Sequence, residues 1–280
     1  MTERSIGSFD WLDLRRLDSR RFSLELTDSL VRLDGQLYGG TGLAGVVAAM
    51  RVATGREPLW ATVQFASTAM LGETIEFQVE VLAAGHRASQ VRITALLADR
   101  IVLAALGTVA AENVDGLHSE FGQMPLVSSP EFSEEWRHVF PFQHDGPLTG
   151  PFHTAEFRTA EIRTAEIRTA EIRTAEMGSA GSEPMMWVRM RDTRQTRESV
   201  AYLADFVPAA VVRAAGRVGV GTSMDNSIRF GPPPDTDWIL IETEPYFAHA
   251  GFVHGAGRIW SEEGVLLAVA SQTARAHLFD

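Results

Sequence analysis

QLYGGTGLAGVVAAMRVATG, from Gln36 to Gly55, opens on glycines and then runs almost wholly small and apolar. A surface helix shows one apolar stripe, whereas a segment apolar on every side reads as a helix buried all round, ended here by Gly55. Four segments with strand character follow: LWATVQFAS, ETIEFQVEVLAAG, ASQVRITALLAD and RIVLAALGTVAAE. The order is one helix and then an antiparallel run of strands.

The plan returns downstream. ESVAYLADFVPAAVVRAAG (Glu198 to Gly216) is again a nearly all-round apolar helical stretch ending in glycine, followed by TSMDNSIRF, WILIETEPYFAHA, GFVHGAGRIWSEE and GVLLAVASQTARAHLF. TVQF (Thr62 to Phe65) is echoed by SIRF (Ser227 to Phe230), and LAALGTVA (Leu103 to Ala110) by LAVASQTA (Leu267 to Ala274). WVRMRDT (Trp187 to Thr193) alternates as the first strand of this second half. The expected fold is α+β: a double hotdog of two tandem units, each a curved antiparallel sheet wrapped around a central apolar helix. The units span 1–113 and 184–280, separated by a connection over 114–153 and a repeat insertion over 154–183.

The repeat is AEFRTAEIRTAEIRTAEIRTAEM, from Ala155 to Met177. Five residues turn a helix by about 500°, so Phe157, Ile162, Ile167 and Ile172 scatter around it. In a strand the odd period sends successive Ile side chains to opposite faces, and one unbroken strand would reach roughly 75 Å. The frame A-E-I-R-T is similar to the pentapeptide repeats that wind a square β-helix, but these units close little more than one coil, and a solenoid needs several. A tandem expansion within a strand or connection is the expectation, because insertions there cost little entropy.

With 280 residues, 45% of them hydrophobic, the chain can fill a proper core. Its 25 Lys and Arg against 36 Asp and Glu give a formal charge of −11, with no basic run. Nucleic acid and anionic membranes are therefore poor partners. The absence of cysteine excludes disulfides, thiolate zinc sites and a cysteine nucleophile, and fits a cytoplasmic location. MTERSIGSFDWLDLRRLD lacks the apolar core of a signal peptide, and no segment has the roughly 18 unbroken apolar residues of a membrane span. No Gly-rich phosphate loop and no His/carboxylate spacing is present, so neither a cofactor nor a metal is implied.

One acidic residue, Asp205, interrupts the apolar stretch LADFVPAAVV. Pro208 would clash with the carbonyl four residues earlier, so a helix break near Asp205 is expected. There the carboxylate could cap the following helical turn and still face a cleft. On the last strand Gln272 shares a face with Leu266, Ala268, Ala270 and Ala274, and a polar amide among such neighbours needs a partner. Gly39, Gly40 and Gly42 either let backbone approach a ligand or start the helix and permit tight packing.

LYGGTGLAGVVAAM, LWATVQFASTAMLGETIEFQVEVLAAGHRASQVRI, TSMDNSIRF and VLLAVASQTAR, taken in order, resemble the acyl-CoA thioesterase II family over roughly residues 30 to 112 and 185 to 280. The resemblance implies an acyl-CoA substrate, hydrolysis to free fatty acid and CoA, and association into homo-oligomers. It also implies a catalytic set: an acid on the second helix (Asp205), a hydroxyl just before an Asp-x-Ser strand motif (Ser223) and a glutamine on the last strand (Gln272). In this assignment Asp205 activates water, and Ser223 and Gln272 hold it. Gly39, Gly40 and Thr222 are the candidate substrate contacts, although Thr222 lies one residue from Ser223 and would face the other side of a strand. Asp225 and Ser227 are expected to hold the turn and strand start. Asn226 stands where the family commonly has His, and Thr273 and Ala274 where it often has an acid and Gly. One site per chain is expected, because the paired positions of the first half are apolar or glycine-rich.

Three alternatives stand beside this reading. An acyl-thioester hydratase needs a His paired with an acid at a helix start, and His249 and His254 instead lie in a strand pair. A non-catalytic acyl-thioester or lipid-binding hotdog would fit a drifted polar set. A scaffold would place function in the repeat.

Overall fold

The computed structural model describes residues 11–111, 116–133, 148–160 and 185–279. The repeat units from 161 onward and the connection at 112–115 and 134–147 lie outside them.

The long apolar segment forms helix α1 (Gly39–Thr54), every residue of which from Gly39 to Met50 is buried. Gly55 ends it in the left-handed conformation, φ 64°, with its N–H bonded to the Arg51 carbonyl. The helix can be apolar all round because neighbours cover every side. Its glycines allow the close approach: a Cβ at Gly40 would lie 2.1 Å from the Tyr202 carbonyl oxygen, and one at Gly45 would lie 2.5 Å from the Phe77 ring. The first half contributes strands β1 (Arg15–Arg16), β2 (Arg21–Glu25), β3 (Glu57–Phe65), β4 (Thr74–Ala84), β5 (Ala88–Leu97) and β6 (Arg100–Ala110). β2 is missing from the sequence reading, although Phe22 and Leu24 alternate inward within RFSLE.

A short helical turn, α2 (Pro151–Thr154), leads into β7 (Ala155–Thr159), which is the first unit of the repeat. β7 pairs antiparallel with β8 (Met185–Met190), so the second half carries a strand outside the one read at Trp187. The second apolar helical segment is two helices, α3 (Arg197–Leu203) and α4 (Val207–Ala214), broken where Pro208 demands it. Strands β9 (Gly219–Phe230), β10 (Ile239–His249), β11 (Phe252–Ser261) and β12 (Leu266–Leu278) follow.

The twelve strands of the described residues join one antiparallel sheet in the order β1-β2-β4-β5-β6-β3-β9-β12-β11-β10-β8-β7. The halves meet at β3 and β9, where Thr62 is the direct partner of Ser227 and their hydroxyls are 2.6 Å apart. These are the first residues of the two echoed tetrapeptides, so equivalent positions of the two halves face each other across the seam. α1 packs on the first half of the sheet and on α3, and α4 packs on β9 to β12. No helix among the described residues is long and apolar enough to cross a membrane.

Candidate active site

The break between α3 and α4 places Asp205 outside both helices. It does not cap α4, whose N-cap is Phe206 with no side-chain cap bond. Instead its carboxylate reaches the other half of the chain: Oδ2 accepts the Gly40 N–H of α1 at 2.8 Å. That N–H is one of the donors a helix start leaves without an intrahelical acceptor. The positive end of the α1 dipole favours the carboxylate there.

Oδ1 of Asp205 accepts from three side chains on two neighbouring strands. Gln272 Nε2 donates in a short contact, Asn226 Nδ2 at 3.2 Å and Ser223 Oγ at 3.5 Å. Gln272 Nε2 also donates to Ser223 Oγ at 2.7 Å. Asn226 and Gln272 are direct cross-strand partners and both are buried. Ser223 and Asn226 are three residues apart, which in a regular strand would set them on opposite faces. A bulge decides otherwise: Gln272 pairs with Asn226 and Ala274 with Ser223, so two steps on β12 match three on β9 and Met224 is the extra residue.

Burial pushes the Asp205 carboxyl up from 3.8 to about 6, against the opposing pull of Gln272, the Gly40 N–H, Arg32 and Ser223. The Tyr38 hydroxyl donates to the Asp205 carbonyl at 3.3 Å, and its own pKa is held well above the usual tyrosine value by burial and by the Asp205 charge. The backbone of Gly39 closes the other side. A Cβ there would lie 2.6 Å from Asp205 Oδ2 and 2.8 Å from Ser223 Oγ.

The site opens into a cavity of about 920 Å³ lined by both halves of the chain. Asp205, Ser223 and Gly39 are on its wall, with Leu37, Phe65, Phe152, Phe206 and Val220 supplying apolar surface. Arg32 is also on the wall, tied to Asp34 and donating to the Gly221 carbonyl at 3.2 Å.

The structure therefore brings Asp205, Ser223 and Gln272 together and adds Gly39 and Gly40 to them. Thr222 lines the cavity but turns from the carboxylate to His277, its Oγ1 lying 3.0 Å from Nε2. Asp225 accepts the Thr273 N–H at 3.0 Å, and Ser227 sits at the seam, as strand-holding residues would. His254 bonds Thr273 through Nδ1 at 3.0 Å. The residues that sequence reasoning missed are Asn226, set aside as a departure from the family, and Tyr38. A buried position partnered with Gln272 would have singled out Asn226 had the bulge been visible. Among the described residues no group of three His, Asp or Glu could hold a metal ion.

The model of the acyl-CoA thioesterase C-terminal domain matches residues 135–276, half of the chain. The chain belongs to the acyl-CoA thioesterase II family. Similar solved structures agree in fold with this thioesterase-family chain. A candidate thioesterase of Novosphingobium aromaticivorans superposes with a TM-score of 0.77 at 24% identity, over 94% of this chain and 97% of that one. A hot dog protein of unknown function from Alicyclobacillus acidocaldarius gives 0.74 at 21%, over 94% and 95%. An acyl-CoA thioesterase II, TesB2, of Mycobacterium marinum gives 0.70 at 18%, over 96% and 97%. Comparison with curated proteins gives no match. The large antiparallel sheet with few helices is a hotdog fold.

Proposed function

We propose that this chain is a double hotdog that hydrolyses a fatty acyl-CoA to fatty acid and CoA by attack of an activated water. The observation that carries the proposal is the Asp205 carboxylate, raised to about 6 and held by four donors at the wall of a largely apolar cavity. A base poised near neutrality is ionised at working pH and still takes a proton well. Asp205 removes a proton from water as the water oxygen bonds to the thioester carbonyl carbon. The N–H groups of Gly40, Thr41 and Gly42 are taken by Asp205 and the Tyr38 carbonyl, so the oxyanion that develops is assigned to the N–H of Gly39, which lines the cavity at the start of α1. Collapse of that intermediate expels the CoA sulfur, which takes up a proton to leave as the thiol. Gln272, Asn226 and Ser223 fix the carboxylate and the water beside it.

Asp205→Asn places an amide, which must offer two N–H donors, into a ring made of donors. Its electrostatic and geometric fit fails together with its basicity. The test is release of free CoA from a panel of acyl-CoAs, with the fatty acid measured in parallel. Equal yields of acid and thiol from the parent support hydrolysis. Saturable acyl-CoA binding with no thiol released would sink it and leave a binding protein.

A further inference from the structure

The cavity wall beside Asp205 is aromatic, and it rests on the first unit of the repeat. Phe206, the residue after Asp205, and Phe152 of α2 both line the cavity. Behind them stands Phe157 of β7, 6% exposed, with its ring 5.2 Å from Phe152 and 5.5 Å from Phe206. Phe152 and Phe206 are themselves 6.2 Å apart, so the three rings form one cluster.

The other residues of the unit fasten that cluster to the sheet. Glu156 accepts Arg158 Nη2 at 2.8 Å on one oxygen and Arg189 Nη2 at 2.7 Å on the other. Both guanidinium groups lie over the Trp238 ring, at 5.0 and 4.8 Å from its centroid. Arg158 Nη1 donates to the Pro130 carbonyl at 2.6 Å. The turn that carries Phe152 is pinned on both sides, by the Gly150 N–H to the Asp28 carbonyl at 2.7 Å and by the Arg191 N–H to the Thr154 carbonyl at 2.9 Å. Sequence adds an independent pointer: the later units carry Ile162, Ile167 and Ile172 at the place that Phe157 holds. The unit docked behind the cavity is the one with the ring.

We propose that this unit sets the acyl-chain preference of the cavity, Phe152 and Phe206 being the wall the chain meets and Phe157 the residue that fixes where the wall stands. The proposal rests on the acyl-thioester reading of the same cavity. Trimming Phe157 lets the wall recede and admits more methylenes, each of which gains apolar burial.

The experiment compares the parent with Phe157→Ile and Phe157→Ala, using non-hydrolysable acyl-CoA thioethers of increasing chain length for binding and the matching thioesters for CoA release. Phe157→Ala moves the preference to longer chains, by about tenfold for two added methylenes. Phe157→Ile moves it the same way by less, and decides the matter if the alanine variant does not fold. An unchanged chain-length profile in a folded variant, or no thioether binding by the parent, overturns the proposal. A shifted binding profile without CoA release would defeat the catalytic reading and leave this one standing. CoA release with an unchanged profile would do the reverse.

Discussion

At the scale of the residue, the central balance is between burial, which favours the neutral form of Asp205, and four donors that favour the anion. Burial wins, and the carboxyl rises to about 6. The account predicts that kcat/KM falls about tenfold per pH unit below about pH 6 and levels off above it, because the free enzyme must carry the anion. A profile flat down to pH 5 would contradict this. Stability runs the other way. A folded pKa raised above the unfolded value gives stability that is full below about pH 4 and is lost as pH rises through about 6. The melting temperature of the parent, relative to Asp205→Asn, should therefore drop between those values. Gly39 offers a second residue-scale test: Gly39→Ala drives a methyl into Asp205 and Ser223. We expect CoA release to fall at least about a hundredfold in protein that is folded at the assay temperature, because the methyl displaces the carboxylate and the hydroxyl from their positions. Asp205 and Gln272 stand out in the sequence as polar residues in apolar runs, whereas Ser223, set among polar neighbours, was named from the family resemblance alone; the structure brings the three side chains together. Asn226 was not legible, because residue parity along β9 points it away from Ser223 until Met224 is counted out.

At the scale of the element, the two apolar helical segments could be read directly, since an all-round apolar helix has few other places to go. The break at Asp205 followed from Pro208. What the carboxylate does after the break was not visible, because its partner, the Gly40 N–H, lies 165 residues away in sequence. β2 escaped notice, and the first repeat unit was read only as part of a strand or connection, for a related reason: each is short, rich in charge, and stabilised by pairing with β4 and β8. α1 yields a prediction that separates folding from catalysis. Unlike Gly39→Ala, Gly40→Ala pushes a methyl against the backbone of α3 and the Tyr38 ring, which cannot give way cheaply. It should cost about 1–3 kcal/mol of stability, read by denaturant unfolding. A Gly40→Ala protein as stable as the parent would show that α1 and α3 can separate without penalty.

At the scale of the whole molecule, the two halves share one sheet and one site. Asp205 of the second half is bonded to α1 of the first, and the cavity takes its wall from both. Unfolding should therefore be a single transition, with far-UV and near-UV signals coincident; two separated transitions would mean that the halves fold on their own. The echoed tetrapeptides at Thr62 and Ser227 could be read in the sequence. Their direct pairing at the seam could not, because two equivalent tetrapeptides say nothing about which strand edges meet. The echoed segments also differ in chemistry. By the same echoes, the counterpart of Gln272 is Thr108, which donates to Gln90 at 2.8 Å, and that of Ser223 is Pro58. Thr108 lacks the amide, and Pro58 the hydroxyl, that bind Asp205 in the second half.

The most direct measurement is CoA release from one well-bound acyl-CoA at pH 8, by the parent and by Asp205→Asn, both shown by circular dichroism to be folded at the assay temperature. Loss of about a thousandfold in kcat/KM is the result the account predicts for removal of a general base. Turnover within a few fold of the parent would take the carboxylate out of the chemistry and contradict it.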